Sequence, residues 1–190
     1  MSRLQILALP GSLRAGSWNA ALLRLAKARA PEGVDVEIWE GLNTIPPFSE
    51  DDEVMAPLPV EALRQAIAEA DAVLVSTPEY NGGPPGQLKN ALDWVSRPFG
   101  LAAIVGKPAG VISASTSSFG GRWAQEDVRK ALRLSGAAVI GEGLALGKAA
   151  ERLAETGIAD DEILAGIDDV LERLVAKIAE MKLELETSDF

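Results

Sequence analysis

Leu4-Gln5-Ile6-Leu7-Ala8-Leu9-Pro10-Gly11-Ser12-Leu13-Arg14-Ala15-Gly16-Ser17-Trp18-Asn19 is the stretch whose reading decides the fold. Its first six residues are apolar except for Gln5, the pattern of a strand covered on both faces. Pro10 to Ser17 break that run with a proline, two glycines and two serines, and a helix is expected from Trp18 to Ala30. A buried strand passing through a glycine-bearing loop into a helix is the opening half of a βαβ unit.

Outward from this stretch the alternation continues. Val34 to Trp39 alternates at period two, as a strand with one exposed face does, and Gly41 to Pro57, rich in proline and acid, reads as a long surface loop. A helix over Val60 to Ala70 precedes a short apolar run, Ala72 to Ser76, read as a central strand, and a Gly/Pro-punctuated loop, Thr77 to Pro85. Gly86 to Ser96 places Leu88, Ala91, Leu92 and Val95 on one helical stripe; Ala109 to Ala114 is a strand, followed by a Ser/Thr/Gly loop to Gly121. Arg122 to Leu134 is a helix with Ala124, Val128, Ala131 and Leu132 inward, Ala137 to Ile140 the last strand, and Asp160 to Leu183 a long helix with Ile163, Ile167, Val170, Leu174, Ile178 and Met181 along its apolar face. With no internal repeat and no linker, residues 1–190 read as a single α/β domain. The expected fold is a doubly wound, five-stranded parallel sheet in flavodoxin-like order 2-1-3-4-5, with helices on both faces. Ligands of such sheets sit at the carboxyl ends of the strands. The three loops that carry the unusual sequence, after Leu9, Ser76 and Ala114, leave such ends.

Composition narrows the chemistry. The chain has neither cysteine nor histidine, which excludes disulfides, thiol nucleophiles, iron–sulfur clusters, thiolate or imidazole metal sites and imidazole acid–base catalysis. Chemistry then falls to carboxylates, hydroxyls, Lys, Arg, backbone amides or a cofactor. The net charge of −10 is concentrated at the end: residues 151–190 hold 12 acidic against 4 basic residues, read as a solvated helix face. No basic stripe suggests a nucleic acid. No apolar run approaches a bilayer span, and Met1-Ser2-Arg3-Leu4 leads straight into a strand without a secretory signal, so a cytoplasmic protein is expected.

The first loop suits an anion. A helix start presents unpaired N–H groups and the positive end of its dipole. Gly11 and Gly16 let the backbone curl closely, Ser12, Ser17 and Asn19 add hydrogen bonds, and Arg14 adds a charge. The same residues also read as an ordinary loop in which Ser17 caps the helix and Arg14 is a surface charge. Gly11 and Gly16 have nucleotide-triphosphate P-loop spacing, but Ser17 stands in the lysine's place and Trp18 in that of the magnesium-binding hydroxyl. The dinucleotide fingerprint G-x-G-x-x-G is absent too, so a single terminal phosphate is the better ligand.

Gly11-Ser12-Leu13-Arg14 followed by Ser17 and Asn19 is similar to the FMN-phosphate loop of the NADPH-dependent FMN reductase and quinone reductase family. Pro78-Glu79-Tyr80-Asn81-Gly82, continuing from Pro85 through Trp94, resembles the family's second hallmark; Gly120-Gly121 with Gln125 resembles its third. The likeness covers about residues 3–140. It implies an oxidoreductase passing hydride from NADPH or NADH to bound FMN and then to a quinone, flavin, azo compound or metal oxyanion. It implies cofactor contacts from Gly11, Ser12, Arg14, Ser17, Trp18 and Asn19 at the phosphate, and from Pro78, Glu79, Tyr80, Asn81, Gly82, Ser115, Thr116 and Gly120 about the ring. It implies no catalytic side chain, because the flavin carries the hydride chemistry, and no metal; Glu79 then orients its loop or meets a subunit rather than serving as a base. It implies a homodimer or homotetramer bordering the flavin; in the sequence itself Trp94, Phe99 and Trp123, in or beside the helices after the ring loops, are candidate contacts or else ordinary core residues, and Lys89, Asp93 and Arg97, if they form an ion-pair ladder, argue instead for an exposed face. Two departures from the family form, Gly83-Pro84-Pro85 and Trp123, bear on acceptor preference.

Two other readings stay beside it: a flavodoxin-type electron carrier, against which Arg14 counts, and a flavin-binding regulator without turnover. A response-regulator receiver is excluded, because Pro10-Gly11 and Thr77-Pro78 occupy the places of its acidic pair and phosphoacceptor.

Overall fold

The computed structural model describes residues 3–154 and 160–188; Met1, Ser2, Glu155 and Asp189 of the stretches read above lie outside them. Leu4–Pro10 forms β1, whose alternation sends Leu7 and Leu9 into one core layer and Ile6 and Ala8 into the other. Strands β2 (Val34–Ile38), β3 (Ala72–Thr77) and β4 (Pro108–Ala114) run parallel to it. The order is β2-β1-β3-β4-β5, the flavodoxin-like order expected. In β3, Val73 and Val75 share the layer of Leu7, and Ala72 and Leu74 that of Ile6.

Helices α2 (Leu58–Glu69), α3 (Gly86–Val95) and α4 (Arg122–Leu134) cover the first layer. Helices α1 (Trp18–Ala28), α5 (Ala149–Ala154) and α6 (Asp161–Ser188) cover the second. α2 starts at Leu58, before the expected Val60, because Pro57 caps it and Pro59 sits in the first turn, where a missing N–H costs nothing. The long loop contains two short 3-10 turns, Leu42–Thr44 and Glu50–Asp52.

The last strand departs from the expectation. Instead of Ala137 to Ile140 there are two two-residue strands on the same side of β4: β5 (Ala138–Val139) against Pro108 and Ala109, and β6 (Ala145–Leu146) against Ser113 and Ala114. Between them the chain presses so closely on β4 that a Cβ on Gly143 would stand 2.2 Å from the Val111 carbonyl oxygen. No described helix is long and apolar enough to cross a membrane.

Trp94 is a core residue, not a surface contact. It is fully buried, donates through Nε1 to the Pro46 carbonyl at 2.8 Å and meets Phe48 edge-on at 4.9 Å. The ladder expected along α3 stops after one pair: Lys89 binds Asp93 at 2.5 Å, while Arg97 turns to Glu53 at 3.0 Å and Glu50 at 3.5 Å.

Candidate functional site

The loops after β1, β3 and β4 lie together at the carboxyl ends of three adjacent strands, as the order requires. The first is drawn under the others at its base: the Gly11 N–H donates to the Ser76 carbonyl at 2.8 Å, and a Cβ there would stand 2.7 Å from Leu88 Cδ2. From Leu13 to Gly16 the loop is exposed, and Ser12 is half-buried. Ser17 caps α1, its hydroxyl oxygen accepting the Ala20 N–H at 3.3 Å. No acidic residue stands in the first turn of α1, and among the described residues no carboxylate pairs with Arg14, whose guanidinium lies 6.0 Å from the Trp18 ring centroid.

Asn19 has a different job from the one its position suggests. It is buried, its Nδ2 donates to the Ala114 carbonyl at 2.9 Å, and its Oδ1 accepts the Ala114 N–H at 2.9 Å and the Ser76 hydroxyl at 3.0 Å. The side chain ties α1 to the ends of β3 and β4. Its backbone N–H lies in the first turn of α1, where helix N–H groups lack intrahelical partners.

The second loop closes as a two-residue turn. Tyr80 and Gly83 exchange backbone hydrogen bonds at 2.9 and 3.1 Å, and Asn81 and Gly82 between them both have positive φ, 53° and 80°. That is the type I′ geometry, which the Asn-Gly pair adopts with least strain. Pro78 is buried, Thr77 donating to its carbonyl at 2.8 Å. Glu79 reaches across to α4, its carboxylate accepting the N–H groups of Trp123 at 3.0 Å and Ala124 at 3.3 Å. The cap residue of α4 is Gly121, which has no side chain to offer, so Glu79 supplies the missing acceptor.

The third loop is held from behind by Gly120 and Gln125 and by Leu144, Ala145, Lys148 and Ala149, which the sequence reading left out. Gly120, at φ 67°, lies where a Cβ would stand 2.6 Å from the Ala145 carbonyl oxygen. Lys148 and Ala149 donate to the carbonyls of Ser117 and Ser115 at 2.9 and 3.0 Å. Gln125 is buried and donates to Ser113 Oγ and to the Leu144 carbonyl, both at 3.1 Å. Ser115 binds its own loop through Ser117, and Thr116 to Phe119 face solvent. The apolar Leu144-Ala145-Leu146 run before Gly147 was the available signal for this support.

Helices α1, α3 and α4 all begin at this end of the sheet, and α1 and α4 differ in what occupies their N-termini. That of α4 is filled by Glu79; that of α1 meets an exposed loop bearing hydroxyls and a guanidinium. A cleft of about 450 Å³ opens beside this loop, lined by Ser12, Leu13, Ala15, Ala20, Arg24 and Glu40. Asp71 and Lys107, whose protonation the fold shifts, lie at the far, amino-terminal end of the sheet. Burial raises Asp71, but the Gln5 N–H and the Lys182 ammonium, both at 2.9 Å, outweigh it and hold the carboxyl below its ordinary range. Burial also pushes the neighbouring Lys107 down. The residues at the carboxyl end fit a flavin mononucleotide: a phosphate has amides and a cation to meet at α1, and a flat ring has two glycine-rich loops to lie against. Among the described residues no cluster of acids suits a metal ion.

Residues 4–151 match the model of the NADPH-dependent FMN reductase family. The chain is 42% identical over 130 residues, 68% of its length and 69% of the relative's, to an NAD(P)H-dependent FMN reductase of Pseudomonas aeruginosa. It is 39% identical over 132 residues, 68% of its length and 70% of the relative's, to a quinone reductase of Escherichia coli. Among solved structures it resembles FerB, a flavoenzyme NAD(P)H:(acceptor) oxidoreductase from Paracoccus denitrificans, with a TM-score of 0.82 and 30% identity over 93% of this chain and 98% of that one.

Proposed function

The chain belongs to the NADPH-dependent FMN reductase family, and from that premise we propose that it holds FMN across its three loops and delivers electrons from NAD(P)H to a quinone. It is an FMN-dependent NAD(P)H oxidoreductase. FMN supplies the two-electron chemistry, exchanged in turn with the nicotinamide and the acceptor, and the chain's own residues bind, orient and enclose.

The observation that carries this reading is that Glu79 fills the α4 N-terminus, whereas the α1 N-terminus has only its Ser17 cap, no acid in its first turn and an exposed arginine-bearing loop before it. The phosphate is assigned to backbone N–H groups between Ser12 and Asn19, the hydroxyls of Ser12 and Ser17, and Arg14, with Trp18 alongside and Gly11, its own N–H held by Ser76, shaping the base of the loop. The ring is assigned to the Pro78 to Gly82 backbone on one side and to Ser115, Thr116 and Gly120 on the other. Glu79 serves as a strut between the ring loop and α4, with no proton to move. A cytoplasmic location fits the pyridine-nucleotide donor.

A homodimer or homotetramer is proposed on the flank of α3 and α4. There Phe99, Leu101 and Leu134 are exposed, and a cleft of about 460 Å³ runs between the helices past Leu92, Val128 and Ala131. Light scattering on dilute FMN-loaded protein tests this; a fully active species near 20.0 kDa refutes it. The activity itself is tested by mixing FMN-loaded protein anaerobically with NADPH and with NADH. Rapid bleaching of the flavin absorbance is expected with at least one. A spectrum unchanged by both overturns the reductase reading in favour of an electron carrier or regulator.

A further inference from the structure

Three large aromatic side chains stand exposed around the ring loops: Tyr80 at 54%, Phe119 at 58% and Trp123 at 57% of full exposure. They come from different elements, Tyr80 from the turn after β3, Phe119 from the loop after β4 and Trp123 from the first turn of α4. Phe119 and Trp123 lie with ring centroids 5.5 Å apart, inclined at 39°. Trp123 also covers the turn, since a Cβ on Gly82 would stand 3.7 Å from its Cε3. Exposed aromatics of this size are costly to leave in water, and their grouping beside a ligand site marks a binding surface.

We propose that Trp123, with Phe119 and Tyr80, forms the acceptor rim of the site and that this rim selects planar aromatic carbonyl compounds, quinones above all, over non-planar inorganic anions. The inference rests on the reductase reading and adds the residues that choose the acceptor. Three observations support a quinone as the occupant. First, the rim is fixed in advance: the Trp123 N–H is held by Glu79 at 3.0 Å, and Gly120 is pressed on the Ala145 carbonyl beside Phe119. Second, the rim presents flat π faces, and an electron-poor quinone ring stacks on an electron-rich indole. Third, among the described residues the Trp123 indole N–H and the Tyr80 hydroxyl have no hydrogen-bond partner, and each can donate to a quinone carbonyl oxygen. A non-planar inorganic anion offers no flat face and gains nothing from the stacking.

The test compares FMN-loaded native protein with Trp123→Ala, Trp123→Phe and Phe119→Ala, using menadione as the planar acceptor and ferricyanide as the non-planar one. Trp123→Ala is expected to raise the KM for menadione about tenfold, the scale of one lost stacking contact and one lost hydrogen bond together. The ferricyanide kinetics, FMN affinity and molecular mass stay as in the native protein. Without nicotinamide, menadione quenching of indole fluorescence weakens by a similar factor, and Trp123→Phe, which keeps a ring but loses the donor, falls between. Unchanged menadione kinetics and quenching in both Trp123→Ala and Phe119→Ala overturn the inference. So does equal loss with both acceptors, which makes the residue a support of flavin or fold, and so does a change of mass, which makes the rim a subunit contact. A native protein that shows Trp123-dependent menadione quenching but oxidises no NAD(P)H with either acceptor keeps the rim and sinks the reductase reading.

Discussion

Replacing Asn19 with Ala separates a strut from a ligand contact, and its size can be worked out from the hydrogen bonds. The side chain serves three buried groups at 2.9 to 3.0 Å: the N–H and carbonyl of Ala114 and the hydroxyl of Ser76. Ser76 can rotate toward another acceptor; the two backbone groups cannot move. Each unsatisfied buried group costs about 1–3 kcal/mol, so the two backbone groups together should cost about 2–6 kcal/mol, against roughly 0.5 for an ordinary surface change. Urea unfolding followed by tryptophan fluorescence, without added flavin, reads this directly. With a slope of about 2–3 kcal/mol per molar for a chain of this size, the midpoint should fall by about 1 M or more. Asn19→Asp sharpens the test. Its ionised carboxylate still accepts from Ala114 N–H and Ser76 but turns an oxygen on the Ala114 carbonyl. Burial and that carbonyl raise its folded-state pKa, so the stabilising contribution is present at low pH and lost as pH rises. Relative to native protein at the same pH, Asn19→Asp should therefore improve on acidification while Asn19→Ala does not. An Asn19→Ala protein within 0.5 kcal/mol of native stability that nonetheless loses about as much FMN affinity as Arg14→Ala refutes the strut and returns the side chain to the phosphate.

Arg14→Ala should weaken FMN binding by about 1.5–3 kcal/mol and leave riboflavin binding alone, as titration calorimetry can show; equal native affinity for FMN and riboflavin contradicts a phosphate site. Glu79→Ala should cost about 0.5–2 kcal/mol in thermal or chemical unfolding through loss of the α4 cap, and Glu79→Gln, which keeps an acceptor, should cost less; unchanged stability with abolished turnover would instead assign the carboxylate to the chemistry. Acid should destabilise the fold through Asp71, Asp160 and Asp168, all held below the ordinary 3.8: Asp71 by the Gln5 N–H and Lys182 against burial, Asp160 by the Ile163 N–H and Arg152, Asp168 by Arg29. Lowered folded-state values give stability that is present above pH 3.8 and lost as pH falls through them, so Asp71→Asn should flatten part of the acid limb, and an identical limb counts against the linkage.

The strand–helix alternation, the loops at the sheet's carboxyl end and the bounds of α4, Arg122 to Leu134, were legible because long apolar runs and helical stripes are local signals, and the order followed from five strands being the number of the flavodoxin-like doubly wound sheet. What escaped depended on partners far away in the chain. Asn19 reads as a cap or ligand in any local view, because the groups it serves lie 95 and 57 residues on. Glu79 gives no local sign that it will cap a helix 44 residues later. Trp94 falls between the stripe positions of α3, and only the return of Pro46 and Phe48 over that helix buries it. The split of the last strand was invisible because two paired residues are too few to carry a period of two.

That split also governs how this protein keeps to itself. A sheet's outermost strand is a ready template for another chain, and an unbroken run from Ala138 to Leu146 would leave nine residues of it open. The detour through Gly141, Glu142 and Gly143 cuts the run into two stubs of two residues each, with the Glu142 carboxylate between them. The opposite margin, β2, is longer but carries Asp35 and Glu37, so a second copy laid against it would bring like charges together. Straightening the detour into a continuous apolar strand would supply one long, neutral margin and, with it, a route to edge-to-edge aggregation during folding.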